Sequence, residues 1–225
     1  MSRPGKRLGV VLPSVLACGL TAPHEPTDVA PESSALTQTS APARAGSDLL
    51  GLPAPALEVD GWIDGDGESG AASPASIAAL RGRVVLVRFW TDTCPYCRAT
   101  APALVELDED FRDRGLVVLG LFHPKPRPGD SESIDATVMR ARVARVASEY
   151  GFRFPIGLDL RWRTIDAWWL GTGDRDATSA TFVIDREGVI RGVHPGPEFH
   201  AGGPADHESC RADYAELRAL IESLL

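Results

Sequence analysis

Two seven-residue stretches, 84–90 and 116–122, carry the densest apolar signal in the chain, and Arg88 is the one charged residue within them. Runs of that length without polar alternation predict strands covered on both faces of a sheet. Between them, residues 95–114 predict a helix that contains Pro102 and stops at Gly115. A second helix is predicted over 132–150, where Met139, Val143, Val146 and Tyr150 recur at helical spacing and Arg140, Arg142 and Arg145 form a solvated face. Residues 154–158 predict another strand. Residues 162–170 predict a short helix whose Trp162, Trp168 and Trp169 read as core, with an apolar rim for a docked polypeptide as the second reading. Residues 181–185 and 189–193 form a hairpin about Arg186-Glu187-Gly188, and 209–224 a last helix with Tyr214, Leu217, Leu220 and Leu224 on one face. Upstream, 50–55 and 57–59 suggest a short edge strand and 76–80 a short helix or turn. Strands alternating with helices make an α/β domain, expected over 49–225.

The first 48 residues break this pattern. Arg3, Lys6 and Arg7 precede a short apolar stretch, and Val15-Leu16-Ala17-Cys18 ends residues 1–18 like a bacterial lipobox, so Cys18 is the expected lipidation site of an export signal. Residues 19–48, rich in Pro, Ala, Ser and Thr, lack the apolar surface needed to offset chain entropy and read as a flexible tether. The expectation is an exported protein of the periplasm or cell surface, held to its membrane by acyl chains alone. No apolar run approaches the ~20 residues that span a bilayer. The net charge of -8 argues against nucleic acid as a partner. Loss of residues 1–17 removes three cations and takes the side-chain count to -11 (-8 minus 3). The acidic spacing from Asp64 through Asp66 to Glu68 lacks the full calcium loop and reads as a solvated turn.

Chemistry concentrates at Cys94-Pro95-Tyr96-Cys97, where an apolar strand hands over to a helix. Free N–H groups at a helix start stabilise a thiolate, so Cys94 is the nucleophile and the deeper Cys97 the resolving thiol. A structural zinc site usually needs a second C-x-x-C, and the chain has none.

The run 84–90 followed by this motif and by Ala101-Pro102 resembles the thioredoxin-like superfamily, and most closely its exported TlpA/ResA-type thiol–disulfide oxidoreductases. Further matches follow in family order: Tyr150-Gly151-Phe152, Phe154-Pro155-Ile156, Leu158-Asp159, and Thr181 to Asp185 with Gly188. The resemblance implies a thioredoxin-like fold, with a central mixed β-sheet flanked by helices and an extra helix inserted after the second core strand. It also implies a redox-active disulfide without a cofactor. The expected partners are protein thiols and disulfides, with a membrane-bound redox donor. It draws Trp90, Pro95, Tyr96, Arg88, Ser179, Ala180 and Thr181 into the site as supporting residues. A reductant of exported proteins is the expected role.

The chain departs from the family pattern at three places. Ser179 stands where relatives carry a cis-proline, and a cis bond there costs roughly 2.5–4 kcal/mol without proline. Arg88 stands where thioredoxins bury an acid. It lowers the Cys94 pKa if it points at the cysteines, and is structural if it points elsewhere. Thr100 replaces a glutamate that some ResA-type proteins carry, which leaves Asp92 as the nearby carboxylate. A different class of function is suggested by His194, His200, His207 and Cys210, which fall in an H-x5-H-x6-H-x2-C series. These residues, alone or with the C-x-x-C, are candidate ligands of a copper- or zinc-binding or delivery protein, and Cys210 is also a candidate third redox thiol. A thiol peroxidase is the remaining alternative.

Overall fold

A computed structural model describes residues 44–64, 74, 76–127, 129, 134–173, 175 and 177–225. The export segment, Cys18, the tether up to residue 43 and the acidic positions after Asp64 lie outside the described residues. Contacts divide the chain into Met1–Ser40 and Ala41–Leu225, and every element below belongs to the second unit.

The strands are β1 (Trp62–Ile63), β2 (Val84–Trp90), β3 (Leu116–Phe122), β4 (Ile156–Leu158), β5 (Thr181–Ile184) and β6 (Ile190–His194), and the helices α1 (Pro95–Phe111), α2 (Ala136–Glu149), α3 (Arg163–Trp168) and α4 (Glu208–Leu224). The strands form one sheet in the order β1-β4-β3-β2-β5-β6. The β2–β3 and β3–β4 pairs are parallel and the other three antiparallel. This is the mixed sheet with flanking helices that the resemblance implied, and α2 occupies the place of the inserted helix.

Every residue of β2 and β3 is buried, as unbroken apolar runs require. The pleat divides them between two layers. Val85, Val87 and Phe89 join Val117, Leu119 and Leu121 in a core with Ile165, Trp168 and Trp169. On the opposite face Val84 and Leu86 meet Leu104, Leu107 and Phe111 of α1 and Tyr214, Leu217 and Ile221 of α4. Trp90 and Phe122 continue that face into a third cluster with Cys97, Val143 and Val146. Alternation places Arg88 on this second face, under α1 and α4.

One expectation is corrected in part, one choice between readings is decided for the first of them, and one exposed face gains partners. Residues 51–54 do run along β6, where Gly51 N donates to Ile190 O (2.9 Å), Ile190 N donates to Leu52 O (2.9 Å) and Pro53 bridges Val189. Residues 57–59 are not a strand, and the edge strand beside β4 lies at Trp62–Ile63, entered where the Asp60 amide donates to Leu158 O (2.7 Å). Leu57 and Val59 pack on the core as irregular chain. The tryptophans are core, with Trp162 6%, Trp168 1% and Trp169 1% exposed, which leaves no aromatic rim. The arginines of α2 are not merely solvated: Arg140 donates to Trp62 O (2.5 Å) and Arg142 pairs with Asp92. Residues 44–48 also pack on this unit, through the Arg44–Asp213 pair (2.6 Å) and the Asp48–Arg175 pair (2.5 Å).

Candidate functional site: a dithiol above a buried guanidinium

The C-terminal end of β2 and the first turn of α1 build the site. Cys94 is the N-cap of α1, with Pro95 at the first helical position, where a missing N–H costs nothing. Its Sγ accepts from the Cys97 amide (3.4 Å). Cys94 is partly exposed, Tyr96 exposed, and Cys97 is buried at 3% beside Trp90. Both thiols are free. The two sulfurs share a proton, which splits their acidities. The hydrogen bond from Cys97, followed by the Cys97 and Tyr96 amides and the Arg88 charge, lowers Cys94 to about 6 against the resistance of burial. The same bond, together with burial, pushes the Cys97 thiol up. Cys94 is therefore the thiolate at neutral pH and Cys97 the held proton.

Arg88 has no exposure, although a buried cation is expensive unless paired. Nη1 donates to Thr181 Oγ1 (3.0 Å), and Nη2 donates to Pro197 O (2.8 Å) and to Thr100 Oγ1 (3.5 Å). The guanidinium lies 5.5 Å from the centre of the Phe199 ring. Its Nε has no hydrogen-bond partner among the described residues. Burial lowers its pKa, and Cys97, Cys94 and Glu198 oppose that. Among the described residues Arg88 therefore neither reaches solvent nor pairs with an acid: its hydrogen bonds go to Thr181, Pro197 and Thr100, and its charge acts on both thiols.

The other supporting residues follow from strand register. Arg88 pairs with Thr181 across β2 and β5, and Phe89 N donates to Ala180 O (3.0 Å), so Ser179 and Ala180 run alongside the end of β2. Among the described residues the cis peptide bonds are Lys125–Pro126 and Gly196–Pro197, so the bond before Ser179 is trans. Ser179 Oγ instead donates to Pro197 O (3.2 Å), the oxygen that also receives Arg88. Asp92 has its 6% exposed side chain tied to Arg142, which occupies the one carboxylate the sequence offered as a proton acceptor. Thr100 serves as a hub, donating to Tyr96 O (3.0 Å) and accepting from Phe199 N (3.4 Å) as well as from Arg88. Pro197, Glu198 and Phe199 were not foreseen as site residues. Their only sequence signal is the Gly/Pro-rich break after β6.

The C-terminal series divides. His194 is corrected out of it: Nδ1 accepts from Gly196 N (3.1 Å) and Nε2 meets Asp213 Oδ2 (3.1 Å), so both ring nitrogens are used. Burial lowers its pKa to about 4 against the pull of Asp213. His200, His207 and Cys210 do come together, and Glu198 takes the fourth place, with one ligand atom from each within 4.8 Å of the others.

A profile of the AhpC/TSA family matches residues 50–193. DipZ of Mycobacterium tuberculosis is 30% identical over 139 residues, covering 60% of this chain and 17% of DipZ. The thiol-disulfide oxidoreductase ResA of Halalkalibacterium halodurans is 27% identical over 117 residues, covering 52% of this chain and 56% of ResA. The chain thus spans about half the length of ResA and a smaller part of DipZ. A thiol-disulfide isomerase structure from Corynebacterium glutamicum aligns with TM-score 0.51 at 24% identity, covering 76% of this chain and 96% of that one, a likeness of fold.

Proposed function

The chain belongs to the AhpC/TSA family and has a thioredoxin-like fold, and from there we propose that it is a thiol–disulfide oxidoreductase working through Cys94 and Cys97 on exported proteins. The observation that carries this reading is the free thiol pair at the head of α1, a partly exposed Cys94 whose Sγ accepts from the Cys97 amide (3.4 Å) beside a buried Cys97. This arrangement lowers the pKa of Cys94 to about 6 and raises that of Cys97. The Cys94 thiolate attacks a partner disulfide, forming a mixed disulfide and releasing one partner thiolate. Cys97 then attacks Cys94 Sγ, the mixed disulfide breaks, and the second partner sulfur leaves. The Cys97 proton passes to that departing thiolate, since Asp92 is held by Arg142. The first partner thiolate takes its proton from solvent, so the partner gains two electrons and two protons, one from Cys97 and one from solvent, and the protein is left as the disulfide. Arg88 stabilises each thiolate as it forms.

The proposed role is a reductant weaker than thioredoxin. Stabilising the thiolate favours the reduced form, and a Cys94 pKa of about 6 lies between thioredoxin's ~7 and DsbA's ~3.5. The expected reduction potential therefore lies between about -270 and about -120 mV, measured by equilibration with glutathione. Absence of a reversible two-electron couple, or its survival in Cys94→Ser, would remove the reading. Export and anchoring at Cys18 rest on the sequence of residues 1–18. Cys18→Ala is expected to move the protein from the membrane fraction to the soluble one.

A further inference from the structure

We propose that Glu198, His200, His207 and Cys210 form a zinc site that clips the β6–α4 connection to the start of α4, independently of the dithiol. The four side chains supply one carboxylate, two imidazoles and one thiolate, a borderline-hard set suited to a closed, four-coordinate Zn²⁺ site rather than to Mg²⁺ or Ca²⁺. Their ligand atoms already lie within 4.8 Å of one another. Tetrahedral bonds of about 2.0–2.3 Å need separations of about 3.3–3.8 Å, so small adjustments complete the shell, the two imidazole nitrogens parting slightly and the wider pairs closing.

The surroundings orient the ligands. His200 Nδ1 donates to Gly202 O (2.6 Å), which leaves Nε2 with its lone pair toward His207 Nδ1, 3.0 Å away. A backbone carbonyl on the far nitrogen is the usual way to aim a metal-binding imidazole. His207 Nδ1 also faces Glu198 Oε1 at 3.9 Å. Gly203, with φ +97°, passes so near the imidazole that a Cβ there would sit 2.7 Å from His200 Cε1. Only glycine lets the chain wrap this side chain. Arg211 holds the same loop from α4, donating to Pro204 O (2.7 Å) and Ala205 O (2.9 Å).

Binding exchanges protons for metal: the Cys210 S–H proton is released to solvent as the Zn–S bond forms, and His207 moves its proton to Nε2 so that Nδ1 can bind. No electron is transferred. Glu198 and His200 flank Phe199, whose amide holds Thr100, and Glu198 directly follows Pro197, whose carbonyl holds Arg88. The metal would therefore fix the segment that supports the guanidinium.

Co²⁺ is the probe for the test. The full chain is stripped with chelator, reduced, and titrated with Co²⁺, beside a Cys94→Ser/Cys97→Ser variant that removes the competing dithiol. The double variant is expected to take up one equivalent, with intense tetrahedral d–d bands and a thiolate-to-cobalt charge-transfer band, all displaced by Zn²⁺. In that background Cys210→Ala is expected to lose the charge-transfer band, and His200→Ala and His207→Ala to weaken binding by at least about tenfold, as altered metal sites do. These three ligands are changed separately, and circular dichroism confirms folding, so failure of one variant leaves the others decisive. The site is overturned if the double variant takes up no Co²⁺, or if its spectrum is the same with and without Cys210 and His207. Either of those results leaves the dithiol reading untouched.

Discussion

A guanidinium with no solvent exposure normally sits against a carboxylate, but among the described residues Arg88 forms no ion pair of that kind. Its neutral partners are Thr181, Thr100 and Pro197, and the anion it can stabilise is a cysteine thiolate. It is nevertheless not the main reason that Cys94 is acidic. The hydrogen bond from Cys97 comes first and the Arg88 charge last among the causes. A ranking of variants follows. Cys97→Ala removes the donor and is expected to return Cys94 most of the way from about 6 toward the free-thiol value near ~8.5. Cys97→Ser keeps a donor and is expected to retain much of the shift, and Arg88→Met to raise Cys94 less than Cys97→Ala does. Alkylation rate against pH reads all three. An Arg88→Met shift exceeding that of Cys97→Ala would reverse the assignment of causes. Arg88 was visible in the sequence as a charge inside an apolar strand. Its direction was not, because that depends on which face of the sheet the pleat assigns to it.

The connection from β6 to α4 is the element that couples the fold to the site. Gly196 adopts φ +92°, and a Cβ there would come within 3.0 Å of Ser179 Oγ and 3.3 Å of Ser179 O. Gly196→Ala is therefore expected to cost about 1–2 kcal/mol in chemical denaturation, the penalty of a left-handed L-residue, and to raise the Cys94 pKa by displacing Pro197 O from Arg88. Unchanged stability together with unchanged alkylation would show that this connection does not support the site. The regular elements were readable because their signals are local: unbroken runs for β2 and β3, and helical spacing for α1, α2 and α4. The irregular connection was not. His194 and His200 look equivalent in sequence, yet His194 ends a strand and spends both nitrogens on Gly196 and Asp213, while His200 lies past the turn. Arg142 reaches Asp92 across fifty positions of sequence, a pairing no local pattern encodes.

For the whole molecule, the buried titratable groups link stability to pH and to redox state. In the reduced protein Cys94 has a folded pKa of about 6, below the unfolded ~8.5, so its contribution is fully present above about pH 8.5 and lost as pH falls through about 6. Cys97, raised on folding, behaves oppositely and withdraws stability only above about pH 8.5. The denaturation midpoint of the reduced protein is thus expected to climb more steeply from pH 6 to 8 than that of the disulfide form, which has no thiol to titrate at this site. Parallel curves for the two forms would contradict this. Below pH 6.5 both forms are expected to weaken. Burial holds His123 at about 3 and His194 at about 4, so the unfolded chain takes up protons that the folded one refuses. Asp159, raised to about 6 by burial, opposes part of that loss.

The sequence by itself determined the strand–dithiol–helix unit, the α/β alternation and the extra helix, because each is written in the spacing of neighbouring residues. It also determined which groups were available for chemistry: two thiols one helical turn apart, a charge in an apolar strand, and a histidine-rich tail. Only the tertiary structure decided how they combine. Sheet register put Arg88 beside Thr181, the hydrogen bond between the two thiols and the deeper burial of Cys97 made them unequal, and the turn after β6 exchanged His194 for Glu198 in the cluster with Cys210. Those outcomes depend on desolvation and on contacts between distant segments, and both exist only once the chain has closed on itself.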